Sequence, residues 1–166
     1  LTPPRSIRHS RGELVLRRAE PLAEVAATVA RLAEREGTVG VIVASELVDA
    51  VSTALGGLAH EVLGREAAED AFTRIQVVDA ALAKGLEFDH AVLLEPAQLV
   101  TTEPDRLTGL RRLYVCLTRA VTSLTVLHTQ PLPPELARDG DEAPAEGSGR
   151  VVEPVGGVAV SQVRGD

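Results

Sequence analysis

Apolar residues along the chain fall into short runs of two kinds, and their alternation predicts the fold. Residues 13–18, "ELVLRR", have the length of a short strand. From Pro21 onward, Leu22, Val25, Val29 and Leu32 recur at helical spacing, with Pro21 in the first turn and Gly37 placed to cap the end. Residues 38–44, "TVGVIVA", are a continuous apolar run of strand length, the pattern of a strand covered on both faces in a parallel sheet. Ser45 is then expected to cap a helix through about Leu55, ended by Gly56 and Gly57. Residues 58–71 show no clear period, and their polar part, "GREAAEDA", predicts a solvated loop.

Further strands are predicted in "FTRIQVVDA", "HAVLLEP" and "SLTVLHT". Thr102, three residues before Asp105 with Pro104 between them, resembles a helix-start box. The helix it opens is expected to bury Leu107, Leu110, Leu113 and Leu117 and to run toward Arg119. Strands alternating with helices predict an α/β fold: a mostly parallel sheet flanked by helices.

Composition sets the boundaries. Residues 1–12 hold two prolines and a basic cluster and are expected to be a connector to a domain spanning residues 13–130. Residues 131–149, rich in Pro, Gly and acid, predict a linker, and residues 150–166 a tail apolar enough for one strand. A chain of 166 residues, 45% apolar, is the size of one domain. It opens on Leu1 and has no methionine, so it is expected to be part of a longer protein. The formal net charge of −7 repels a phosphate backbone, so any nucleic-acid contact is expected to be weak and local. Cys116 is the single cysteine, which excludes an internal disulfide or a cysteine zinc site and fits a reducing compartment. No apolar run approaches the roughly 18 residues that span a bilayer, so the expected location is the cytoplasm, with no membrane partner.

Candidate chemistry narrows to two stretches. The phosphate-cradling pattern G-x-x-x-x-G-K followed by Ser or Thr is absent, so the chain has no nucleotide grip of its own. His9, His60, His90 and His128 lack metal-ligand spacing and read as boundary residues. What remains is "AKGLEFD", residues 83–89, and "GLRRLYVCLTRA", residues 109–120. The first holds the only lysine, Lys84, in a chain that otherwise uses arginine, together with Gly85, Glu87 and Asp89. If that turn lies beyond the carboxyl ends of the strands, it occupies the crevice where open α/β sheets bind ligands; otherwise it is an ordinary strand connection. Arg119, two residues beyond Leu117 and so about 200° round the axis, points away from the core. On its own it reads as a cation complementing the helix dipole. Tyr114 and Cys116 are expected to be core packing.

In this order and spacing, the two stretches resemble motifs V and VI of the UvrD/Rep-type superfamily 1 helicases and, together with the entry "PPRSIRHSRG", residues 3–12, look closest to the HelD-like ATPases that bind bacterial RNA polymerase. The resemblance covers Ile75 to His128 closely and, by element order, most of Leu14 to His128. It implies a second RecA-like motor domain lacking its own P-loop, with ATP bound in a cleft shared with an N-terminal RecA-like domain that also holds Mg2+. By the same resemblance Arg119 is the arginine finger, Glu87 contacts the ribose, and Gly85 and Lys84 lie near the nucleotide.

The chain departs from the family at two places. Asp79, Ala80 and Ala81 stand where DNA-tracking members carry Thr-x-His, and Val43, Ala44 and Ser45 where an aromatic residue and an arginine are usual. Both departures fit a polymerase-directed ATPase better than a processive DNA helicase, which is the nearest alternative. A non-catalytic interaction module with degenerate motifs is the alternative of a different class; retention of Lys84 and Arg119 weighs against it.

Overall fold

A computed structural model describes residues 12–65, 73–136 and 150–152. Seven strands form one sheet: β1 (Glu13–Arg18), β2 (Val39–Val43), β3 (Glu61–Val62), β4 (Ile75–Asp79), β5 (Phe88–Leu94), β6 (Ala120–His128) and β7 (Arg150–Val152), in the order β3-β4-β2-β5-β6-β1-β7. The first six are mutually parallel, and β7 closes the edge antiparallel to β1. Residues 1–11 of the connector and most of the acidic linker lie outside the described residues. Within the linker's first residues, Leu132 and Leu136 pack against the core and Glu135 accepts two hydrogen bonds from Arg106.

The sheet is covered on both faces, which is why its central strand tolerates no polar residue. All five residues of β2 are buried. Val39, Val41 and Val43 face α1 (Pro21–Ala33) and α2 (Val48–Leu55). Ile42 faces the opposite layer, built by α3 (Pro96–Thr101), α4 (Arg106–Leu117) and the segment linking β4 to β5. On that side Gly40 lies under the ring of Phe88, so closely that a Cβ at position 40 would overlap it.

Several local expectations change. α1 ends at Ala33, before Gly37, and the carbonyls at and just past its end are met from a distance: the Arg74 guanidinium donates to those of Ala33 (2.6 Å), Arg35 (3.0 Å) and Gly37 (3.1 Å). Ser45 opens a short 3-10 turn, and its hydroxyl donates to Asp79 (2.7 Å) instead of capping the helix. The stretch without clear period contains the two-residue strand β3, which precedes the predicted polar loop; residues 66–71 of that loop lie outside the described residues.

Thr102 ends α3, a helix the sequence pattern did not suggest. The cap of α4 is Asp105, which accepts from the backbone amide of Thr108 at 2.9 Å. Gly109 of α4 faces inward because the backbone of Val100 approaches too closely for any side chain there. That contact sets the helix's rotation. The buried positions are Gly109, Leu113 and Cys116, while Leu107 is 58% exposed and Tyr114, expected in the core, is 69% exposed.

Candidate functional site

The chain leaves the carboxyl end of β4 through Asp79, whose side chain accepts from the backbone amide of Ala81 (2.9 Å) and so starts a 3-10 turn, Ala80–Leu82. Instead of a helical crossover, a short segment then passes across β2 to the amino end of β5. Ala83 is buried beneath it. The Leu86 amide donates to the Ala83 carbonyl (3.1 Å), closing a turn with Lys84 and Gly85 at its corners. Gly85 has φ 85°, the value that the third residue of a type II turn requires. A Cβ at Gly85 would meet nothing within 4 Å, so the glycine serves the backbone angle and the space in front of the turn is open. Lys84 and Glu87 are exposed.

α4 delivers Arg119 to the same place. At the helix end the Arg119 Nε donates to the Val115 carbonyl (2.9 Å) and the guanidinium also donates to the Thr118 hydroxyl (3.2 Å). This is the dipole-complementing role expected of the residue alone. A third bond goes further: Nη1 donates to the Leu86 carbonyl at 3.1 Å, and the Phe88 amide donates to the Arg119 carbonyl at 2.9 Å. The two motif stretches are thus stitched together by side chain and backbone, with Arg119, Lys84, Gly85 and Glu87 on one edge of the sheet. A guanidinium has five N–H donors; three are engaged here, which leaves two for another acceptor.

That edge is not the one expected. Phe88 pairs with Ala120 at the amino ends of β5 and β6, so Glu87 and Arg119 both precede their strands. The switch-point argument fails because the β4–β5 connection contains no helix and has already crossed the sheet when it reaches Gly85. The crevice at the carboxyl ends, between Ser45, Asp79, Thr102 and Arg112, has a volume of about 30 Å³, room for a water or two.

Neighbouring polar residues are structural. Asp89 accepts from the Thr38 amide (2.8 Å) and hydroxyl (3.1 Å), fixing the loop before β2; the Thr38 amide holds its carboxyl below the ordinary range, against an opposing desolvation. His90 lies between the Ser123 hydroxyl (2.7 Å) and the Glu36 carbonyl (3.0 Å), and His60 between Ser52 and the Leu58 carbonyl. Cys116 is fully buried, and burial pushes its thiol up to about 11, away from nucleophilic chemistry. Among the described residues, no group of three or more His, Cys, Asp or Glu side chains is placed to hold a metal ion. Nor is any helix among them long and apolar enough to cross a membrane.

Six parallel strands with helices on both faces define an α/β domain of RecA-like architecture. A solved structure of the same fold is the C-terminal domain of a possible DNA helicase from Lactobacillus plantarum WCFS1. It is 23% identical, with a TM-score of 0.56 over 76% of this chain and 79% of that one. No protein-family model matches the chain, and neither does any curated protein.

Proposed function

We propose that this chain is the second motor domain of a superfamily 1 ATPase, supplying an arginine finger and a ribose contact to an ATP site shared with an N-terminal RecA-like domain of the same protein. The observation that carries the reading is the link from Arg119 to the Leu86 carbonyl, which joins the two motif stretches at one open edge. Arg119 keeps donors to spare there, Lys84 adds a second cation, and the space in front of Gly85 is clear, so the edge fits a polyphosphate. ATP supplies the phosphoryl group whose transfer to water spreads charge over its terminal oxygens, and a planar, permanently charged guanidinium matches that charge. Glu87 is exposed beside the turn and would accept from a ribose hydroxyl. Mg2+ belongs to the partner domain, and the site is complete only when the two domains close. The working location is the cytoplasm.

Within this class the HelD-like reading, with RNA polymerase as partner, is supported by the departures at positions 43–45 and 79–81. There Ser45 and Asp79 bind each other and offer no free cation or histidine. The DNA-helicase reading stands second, favoured by the description of the structurally similar domain.

The test is Arg119→Ala in the full-length protein. Steady-state hydrolysis is expected to fall by about 10³ to 10⁵, with nucleotide affinity kept within about tenfold because the finger acts on the transition state. Near-normal turnover would defeat the assignment. The same assay with RNA polymerase or single-stranded DNA added separates the two readings: greater stimulation by polymerase supports the first, greater stimulation by DNA the second.

A further inference from the structure

The Arg119 guanidinium is held from two sides, and only one of them belongs to the turn. On the turn side, Nη1 donates to the Leu86 carbonyl at 3.1 Å. On the helix side the bonds close into a circuit. The Val115 carbonyl accepts from the Arg119 Nε at 2.9 Å and from the Thr118 hydroxyl at 3.0 Å, and the oxygen of that hydroxyl accepts from the Arg119 Nη2 at 3.2 Å. The Thr118 hydroxyl also lies 3.1 Å from the Tyr114 carbonyl, so its single proton points back into α4 whichever carbonyl takes it. Its lone pairs are thereby left for the guanidinium. The β-branch of threonine further restricts rotation of the side chain, which keeps that oxygen in place.

A guanidinium carries one N–H on Nε and two on each terminal nitrogen. With Nε, one N–H of Nη1 and one of Nη2 engaged, a single donor remains on each terminal nitrogen. Two donors on one rigid plane are the fork that meets a phosphate bidentately. A threonine that only satisfied the last helix carbonyls would account for the bonds to Tyr114 and Val115 but not for the one it accepts from Nη2.

We propose that Thr118 is a positioning residue for Arg119: its hydroxyl, anchored on the Val115 carbonyl, fixes the plane of the guanidinium so that the remaining fork meets a phosphate without reorganising. The inference rests on the motor reading above. Without the hydroxyl the circuit opens, and the guanidinium keeps only its bonds to Val115 and Leu86, through Nε and Nη1. It can then pivot about that pair. Misplacement of this kind is felt in the chemical step more than in binding, because the charge that the fork must match develops in the transition state.

The experiment measures ATP hydrolysis and nucleotide affinity of the full-length protein, below the melting range of each variant, for Thr118→Val, Thr118→Ser, Arg119→Ala and the double variant Thr118→Val/Arg119→Ala. Thr118→Val keeps the shape of the side chain and removes its hydroxyl; turnover is expected to fall by about ten- to a hundredfold, with nucleotide affinity unchanged. Thr118→Ser restores the hydroxyl and is expected to retain most of the wild-type rate. In the double variant the missing hydroxyl has nothing left to hold, so its single-turnover rate is expected to equal that of Arg119→Ala alone. Wild-type turnover of Thr118→Val overturns the positioning role, and so does an equal loss in Thr118→Ser or a further loss in the double variant. If Arg119→Ala is inactive in those cases, the motor reading stands; if Arg119→Ala itself turns over at the wild-type rate, that reading fails and the positioning role fails with it.

Discussion

The two edges of the sheet treat their polar groups in opposite ways. At the carboxyl edge the groups consume one another: Ser45 donates to Asp79, Arg112 pairs with Glu103 at 2.6 Å, and the buried carboxylate of Glu95 accepts from Thr129 and Gln130. At the amino edge Arg119 is held by three bonds yet keeps donors free, and Lys84 and Glu87 stand in solvent beside it. Groups that satisfy each other make a stable edge. Groups positioned but not used leave an edge open to a ligand, and the proposed site rests on that difference.

Substitutions can break or sharpen that contrast. The largest expected effect, on the proposed function, is a loss of hydrolysis in Arg119→Ala of the full-length protein, with only a modest change in stability because its helix-capping bonds are partly solvated. Glu95→Ala should behave in the opposite way. Its carboxylate accepts from the Thr129 amide and hydroxyl at 2.7 Å each and from the Gln130 amide at 3.3 Å, and the residue is 6% exposed. Removing it leaves backbone donors unpaired, at a cost of about 1–3 kcal/mol. Chemical denaturation is expected to show that loss while ATP turnover of the full-length protein below its melting range stays unchanged. Lost turnover without lost stability would move the chemistry to the carboxyl edge.

What the sequence made legible follows the same division. The unbroken apolar run of β2 and the regular spacing in α1 were readable because one kind of burial dominates each. The rotation of α4 was not, since it depends on Gly109 meeting the backbone of Val100, a contact between helices that no local period encodes. With four leucines and a tyrosine distributed around α4, periodicity could not choose which stripe faces inward. The motif resemblance led us to expect the two stretches at one place, and Arg119 meets the Leu86 carbonyl there. Their edge was not expected, because the strand-to-strand segment gives no sign that it crosses the sheet without a helix.

A smaller effect tests the turn itself. Gly85 has φ 85° and nothing within 4 Å of a built Cβ, so Gly85→Ala introduces backbone strain without a clash. The expected loss is about 1–2 kcal/mol, read from the denaturation midpoint. Turnover should fall as well, since Leu86, the next residue, holds Arg119 through its carbonyl. An alanine variant with unchanged stability would mean that the turn adopts another geometry.

The smallest effect is a pH dependence, and it tests whether the loop beside the amino edge is held by an ionised group. The carboxyl of Asp89 is depressed below its ordinary value of 3.8, chiefly by the Thr38 amide. A carboxylate whose folded value lies below the unfolded one adds stability that is fully present above the unfolded value and is lost as pH falls through the folded one. Wild-type melting temperature is therefore expected to decline as pH drops below about 4. Asp89→Asn should melt lower at neutral pH, because the amide cannot reproduce the charge-assisted acceptance from Thr38, and should decline less steeply in acid. The exposed cap Asp105 is depressed in the same direction by the Thr108 amide and adds its own decline, so the informative quantity is the difference between the two curves and not either slope alone. Parallel curves for wild type and Asp89→Asn would show that Asp89 is not an ionised anchor, and the loop before β2 would then owe its position to the packing of Gly37 against that side chain.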